Sequence, residues 1–380
     1  KVITLNLLRS YKKEIKLINI LKDKQSKIHK AELYPLEKIY WLIEDCKIYG
    51  TDPFASLARC AFISIQLLNS LVKQSIISEN EKYDFLSNTQ TITSNIIRDF
   101  KLLTKKKFLN LYGHLRPNTY DITSLSYKEG FNRYFSESLD NTKKIKKFKF
   151  SKHQVKKVEF FLRKIGAKLS FNQFINFLKN SISQREYAKF IFTRSIDMIF
   201  ENLKNFGKKY HFNNHDLSYI KIQDIMQLHY NLDNSNLMKK IRNEIKQNKK
   251  DFDFNKNIKL PEVITSAKDL YINHEVENKT NFVTTKIISS KIIKIENFKE
   301  KLSGKIVAIE NADPGYDYIF NKKIDGLITK YGGANSHMAI RCAEFGVPAL
   351  IGAGENLFET LIQGKKISLD CQNRNCKLIL

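Results

Sequence analysis

Through the first 250 positions apolar residues recur at three- and four-residue spacing, the period of an amphipathic helix. Leu33, Leu36, Ile39, Tyr40, Ile43 and Cys46 form one such stripe, so a helical pattern is predicted from Leu5 to about Ile48, ended by Gly50. Asp52 then caps a new helix with Pro53 in its first turn, where a missing N–H costs nothing, and Phe54 to Val72 continues it as a largely buried element. Further helices are predicted at 79–109, 151–165, 171–179, 183–207, 215–228 and 235–249. Residues 1–260 read as a large all-α domain.

The pattern changes after Asp251, and Pro261 marks the boundary. Residues 261–283 read as a connector, and the segment 284–295 alternates apolar and polar positions as a strand pair does. Short apolar runs follow at Lys305 to Ile309, Gly326 to Thr329, Ala349 to Ile351, Lys366 to Leu369 and Lys377 to Leu380. A short helix opening after Asn311 and another at Ser336 separate the first of these. The fold class expected is therefore multidomain: a helical domain, then a compact α/β unit over 284–380.

Between Thr329 and Gly354 residue type and spacing together specify a chemistry. The pair Gly332 and Gly333 turns the chain out of a strand, Ser336 is a natural N-cap, and His337 falls on the first helical turn. Unpaired N–H groups and the positive end of the helix dipole favour an anion there. Arg341, one turn on and expected to be accessible, can neutralise phosphate oxygens as a planar fork. A neutral imidazole is a competent nucleophile near neutral pH, so a phosphoryl group carried on His337 fits the setting.

A second irregular stretch, Phe108 to Tyr127, interrupts the helical rhythm with Gly113, Pro117 and Asn118 and places His114, Arg116 and Asp121 on a loop. Loops held by a rigid scaffold concentrate binding groups. Arginine is scarce beside lysine, so Arg59, Arg116, Arg185 and Arg194 stand out as oxyanion binders, with ion pairing inside the helical domain as the alternative. Arg185 and Lys189 lie one turn apart with Glu186 beside them, an arrangement suited to clamping an anionic acceptor.

Composition narrows these options. The net charge of +26 would favour polyanions, but the lysines are spread through every segment, among them the run Lys143 to Lys147, so no dedicated nucleic-acid surface is expected. Five cysteines, Cys46, Cys60, Cys342, Cys371 and Cys376, lack CxxC spacing and suggest free thiols in a reducing cytoplasm; no metal site is expected. Arg59, Gln66, Asn69 and Lys73 interrupt the most apolar run, Phe54 to Ile77, which argues against a membrane span.

The pattern GG-x-x-SH-x-A-I-R, followed by E-x-G-x-P-A-x-I-G, resembles the swivelling phosphohistidine domain of the PEP-utilising, dikinase-like enzymes. The resemblance implies a β/β/α swivelling fold, His337 as phosphoryl carrier, Thr329, Gly333, Ser336 and Arg341 in support, and Gly346 with Pro348 shaping the return to the sheet. Asp313, Pro314 and Gly315 match that domain's DPG turn. Asn335 and Cys342 depart from its usual threonine and alanine. The loop GHLRPNTYDI is similar to the GH-x-x-P-G-x-x-D loop of the family's helical domain, with Asn118 in place of glycine. Pro53 to Arg59 and Arg185 to Arg194 resemble that domain more loosely.

Several expectations follow from the resemblance. ATP and Mg2+ are used by a separate N-terminal ATP-grasp domain, since no glycine-rich ATP loop occurs here, and a tether at about 272–281 lets the His337 domain move. The chain would be the C-terminal part of an ATP-dependent phosphotransferase acting on a small-molecule acceptor. Similarity to members from bacterial surface-polysaccharide gene sets points to the amide of L-glutamine, on the route to a capsule phosphoramidate. The alternatives are a rifamycin-type antibiotic phosphotransferase, a PEP synthase-like enzyme, whose barrel would find no room after Leu380, and a non-enzymatic basic helical binding protein.

Overall fold

The computed structural model describes residues 5–89, 92–135, 148–228, 234–256, 258, 260, 264–270, 280–295, 301–334 and 336–379. Pro261, His229, His274, Asn335, the basic run 143–147 and nearly all of the expected tether fall outside the described residues.

The helical region begins with α1 (Leu5–Lys30), α2 (Pro35–Cys46) and α3 (Asp52–Lys73). The stop predicted at Gly50 is not observed, because a π-helical turn at Lys47–Thr51 joins α2 to α3. Thr51 has helical φ and ψ of −71° and −37°, so Asp52 caps no new start. The wider turn absorbs the N–H that Pro53 lacks. Gly50 instead permits close approach: a Cβ there would lie 3.0–3.2 Å from Leu21, Phe192 and Cys46. The run Pro35–Lys73 is, among the described residues, long and apolar enough to cross a membrane by length and composition alone. In this fold Leu57, Ala61, Ser64, Leu68 and Leu71 are buried in the helical region.

The stretch expected as one helix over 79–109 divides into α4 (Glu79–Ser87), α5 (Ile92–Leu102) and α6 (Lys105–Tyr112). Ser78 and Thr104 supply the N-caps, Ser78 within a reciprocal capping box with Glu81. After the short α7 (Phe131–Tyr134) and α8 (Lys152–Lys164) the departure is the reverse. The helices expected at 171–179 and 183–207 are one 40-residue helix, α9 (Phe171–Tyr210). Ser181 does not break it, because its hydroxyl donates back to the Phe177 carbonyl at 2.6 Å. The region closes with α10 (Asn214–Leu217), α11 (Ile222–Leu228) and α12 (Asn234–Asn255).

The remainder builds a curled, seven-stranded mixed sheet: β1 (Asn281–Val283), β2 (Ile287–Lys294), β3 (Ile306–Asn311), β4 (Gly326–Tyr331), β5 (Ala349–Ile351), β6 (Lys366–Asp370) and β7 (Asn375–Ile379), ordered β1-β5-β4-β3-β2-β6-β7. The expected pair over 284–295 is instead the single strand β2, parallel to β3 and antiparallel to β6. Its alternation reports a strand half-buried on one face and exposed on the other, which a hairpin would share. Asn281–Val283, given to the connector by sequence, already pairs with β5. A 3-10 helix at Pro314–Lys322 follows β3, α13 (His337–Phe345) joins β4 to β5, and α14 (Glu355–Gln363) joins β5 to β6. Cys371 and Cys376 are free thiols, as are the other three cysteines.

The two parts meet where the DPG turn lies on the loop after α6. A Cβ on Gly315 would fall inside the Arg116 carbonyl and against the Pro117 nitrogen, so only glycine permits this backbone contact. Thr119 Oγ1 donates to the Asp313 carboxylate at 2.9 Å, and the Tyr127 hydroxyl donates to the Gly315 carbonyl at 3.1 Å. Gly315→Ala is expected to weaken this junction by about 1–3 kcal/mol through overpacking. Small-angle scattering should then report a larger radius for the variant while circular dichroism stays unchanged; an unaltered radius would remove the contact's importance.

Candidate active site

The site assembles around His337. Its helix starts as expected: Ser336 has extended φ and ψ of −68° and 158°, and its hydroxyl accepts from the Ala339 N–H at 3.3 Å. Gly332 takes φ +135° to leave β4, while Gly333 faces open space. The His337 ring is then carried against two carboxylates. Nε2 lies 2.6 Å from Asp317 Oδ1, on the 3-10 helix of the same unit, and Nδ1 lies 3.3 Å from Glu186 Oε2, on α9 of the helical region.

Electrostatics follow from that sandwich. Burial alone would lower the His337 pKa, but the Asp317 and Glu186 carboxylates outweigh it and raise it to about 9. Burial alone would raise the Glu186 pKa, but hydrogen bonding to His337 and the Arg185 charge hold it below the usual carboxylate range. In this arrangement the ring is an imidazolium, which cannot attack phosphorus. Separation from Glu186 removes one of the two charges that keep it protonated.

The supporting groups expected from sequence are placed unevenly. Arg341 is buried rather than accessible, with Nε 3.5 Å from Asp317 Oδ1 and its guanidinium 4.5 Å from the Phe345 ring centre. Thr329 is fully buried, and its hydroxyl accepts from the Gly352 N–H at 3.0 Å, pinning the turn after β5. Arg185 pairs with Glu186 at 2.6 Å. Lys189 lines a small cleft with Glu186, Asp317, Thr119, Thr193 and Phe190, of about 30 Å³, the share of roughly one water molecule. A nucleotide does not fit there.

Other candidates are drawn into the scaffold. Arg116 forms a buried ion pair with Asp197, donates to the Ser124 carbonyl at 3.1 Å and lies over Phe200. Burial outweighs the Arg116 charge at Asp197 and pushes its pKa up to about 6. His114 is buried against Phe190 and donates Nε2–H to that residue's carbonyl at 3.0 Å; burial and the Arg194 charge lower its pKa to about 3, so it is neutral. Asp121 caps its own turn by accepting from the Thr123 N–H at 2.8 Å, and Arg59 donates to Ser56 on α3 at 2.9 Å.

Sequence reasoning missed Asp317 and Asp197. Each is a lone acid in an apolar run, Asp317 between Tyr316 and Tyr318, Asp197 between Ile196 and Met198. A buried acid must be paired, and that was the available signal. Among the described residues no group of three or more His, Cys, Asp or Glu is placed to hold a metal ion.

Two outcomes test this electrostatic picture. Because the pKa of His337 is raised above its ordinary 6.5 to about 9, its contribution to stability is complete below about 6.5 and lost as pH rises through about 9. The melting temperature of the wild type should therefore fall more steeply from pH 7 to 9.5 than that of His337→Asn; parallel slopes would refute the paired imidazolium. Arg116→Met should cost about 3–5 kcal/mol in urea unfolding by stranding Asp197, and Asp197→Asn should recover part of it. A neutral single variant would place Arg116 outside the structural core.

Comparison with known proteins bears on the sheet unit. Residues 302–374 match the family described as PEP-utilising enzyme, mobile domain. Phosphoenolpyruvate synthase of Aquifex aeolicus is 35% identical over 68 residues, 18% of this chain and 8% of that protein. The synthase of Helicobacter pylori is 35% identical over 77 residues, 20% and 9% of the two chains. That of Neisseria meningitidis serogroup B is 30% identical over 69 residues, 18% and 8%. The chain thus spans under a tenth of the length of these curated relatives. The unit that carries His337 is similar in sequence to the mobile domain of the PEP-utilising enzymes.

Proposed function

We propose that this chain is the carrier and acceptor part of a phosphohistidine phosphotransferase. A phosphoryl group is loaded onto His337 at a separate ATP-grasp unit, which uses ATP and Mg2+, and is delivered to a small-molecule acceptor held against the helical region. The observation that carries this reading is the bond from His337 to Glu186: the histidine of the unit matching a mobile domain stands at the junction with the helical region. A carrier must discharge where a second binding surface meets it.

The small cleft supports two stations. With room for about one water molecule, it accepts at most the reacting end of an acceptor while the parts are together. Charging also requires His337 to leave Glu186, because the ring must lose its proton to become a nucleophile. The domain division is part of the same proposal, with the connector expected at 261–283 shortened to 261–280 and the tether to 272–280, because Asn281–Val283 pairs with β5.

For the acceptor we favour the side-chain amide of L-glutamine. Among the cations expected to meet its α-carboxylate, Arg116 is committed to Asp197 and Arg185 to Glu186, whereas Lys189 lines the cleft beside His337. Lys189 therefore replaces Arg116 as the carboxylate-binding group. A rifamycin-sized molecule would need a broad apolar pocket, and the cleft lined by Glu186 and Asp317 beside His337 is too small for one.

With the ATP-grasp unit, ATP and Mg2+ supplied, wild type should acquire an acid-labile, base-stable phosphate that His337→Asn lacks. AMP release and phosphorus NMR over a panel of amino acids, pyruvate and rifamycins then identify the acceptor. A new N–P resonance with glutamine supports the assignment. Equal labelling of His337→Asn would end the carrier proposal, and a signal only with pyruvate or a rifamycin would end the glutamine assignment.

A further inference from the structure

Glu186 and Asp317 both hold the His337 ring, but they are not equally committed. Glu186 Oε1 receives Arg185 through Nε at 3.1 Å and Nη2 at 2.6 Å, while its Oε2 faces His337. Asp317 gives Oδ1 to His337, with Arg341 near the same oxygen. Its Oδ2 is buried and has no hydrogen-bond partner. The Asp317 side chain is 2% exposed and lines the small cleft with Thr119, Glu186 and Lys189. A buried carboxylate oxygen without a donor is rare in native structures, and a cleft with room for one small polar group is where a ligand supplies that donor.

Resting on the carrier role of His337, we propose that Asp317 Oδ2 receives the reacting N–H or O–H of the acceptor and takes its proton during transfer. The acceptor's lone pair attacks phosphorus and the phosphorus–nitrogen bond to His337 breaks. That bond's electron pair returns to the ring nitrogen, and the acceptor proton passes to Asp317. Because the 3-10 helix bearing Asp317 and α13 bearing His337 belong to the same sheet unit, the base arrives with the phosphoryl group.

This assignment names the acceptor class. Two carboxylates, Asp317 and Glu186, face the cleft, against the cations Lys189 and Arg185 from α9 and Arg341 from α13. Arg185 is paired with Glu186 and Arg341 stands beside Asp317 Oδ1, so the unpartnered Oδ2 is the acceptor left at the point of attack. An enolate oxygen, carrying negative charge and no hydrogen, is repelled there, whereas a neutral amide, amine or hydroxyl supplies the missing donor.

The test uses the protein complete with its ATP-grasp unit. His337 is charged with labelled ATP, and loss of label is followed by rapid quench after mixing with L-glutamine, a small alcohol or pyruvate. Asp317→Asn should slow discharge to the neutral acceptor by about 100-fold, Asp317→Glu should recover much of that rate, and pyruvate should discharge neither. Melting curves identify a misfolded Asp317→Asn, in which case Asp317→Glu against wild type carries the comparison through a smaller expected loss of about tenfold. Charged Asp317→Asn discharging at the wild-type rate, or wild type discharged by pyruvate alone, would overturn this inference while leaving the carrier role standing. Wild type that never acquires label would overturn both.

Discussion

An imidazolium held between two buried carboxylates is the constraint on which the rest of this structure depends. Asp317 and Glu186 are each almost fully enclosed, and burying two like charges a ring apart is tolerable only while the ring between them is positive. Arg185 and Arg341 flank the pair but do not stand between the acids. The joined arrangement and the protonation of His337 therefore stabilise one another. Replacing the proton by a phosphoryl group reverses the sign of the central charge, so loading and unloading the carrier must alter how strongly the two parts hold together.

Around that charged centre the junction is defined by backbone shape. The DPG turn and the loop after α6 meet so closely that Gly315 has no room for a side chain, and Thr119 and Tyr127 fix the turn through Asp313 and the Gly315 carbonyl. Arg116 contributes from behind: its ion pair with Asp197 holds the loop rather than presenting a charge to solvent. Two motifs that stand some two hundred positions apart in sequence thus form opposite sides of one surface, which gives the otherwise unexplained HLRPN segment a physical purpose.

Much of the local structure was legible in the residues. The glycine turn, the Ser336 cap and the Asp313 start of a short helix each follow from side-chain chemistry acting over three or four positions, and each is present. The breaks were less legible. Gly50 looked like a stop but serves a close helix contact, and Ser181 looked like a gap but bonds within its own helix, because tertiary packing decides both. The partners of His337 were the hardest to read. Glu186 lies 151 positions away and Asp317 sits in an aromatic run, and no local periodicity encodes which buried acid will face which ring.

The uninterrupted course of α9 carries a further consequence. Phe174, Phe177 and Leu178 pack in one core with Leu68, Leu71 and Leu162, Ala188, Ile191 and Phe192 in a second with Ile18, Leu21 and Leu57, and Leu203 and Phe206 in a third with Ile39 and Leu42. Glu186 is borne between the first and second. At 3.6 residues per turn, adding or removing a single residue rotates everything beyond it by about 100°. An indel between Phe174 and Phe206 would therefore turn one core's apolar stripe, or Glu186 itself, out of phase with its neighbours. The spacing from Phe174 to Phe206 thus acts as a ruler that fixes where the carboxylate meets the ring.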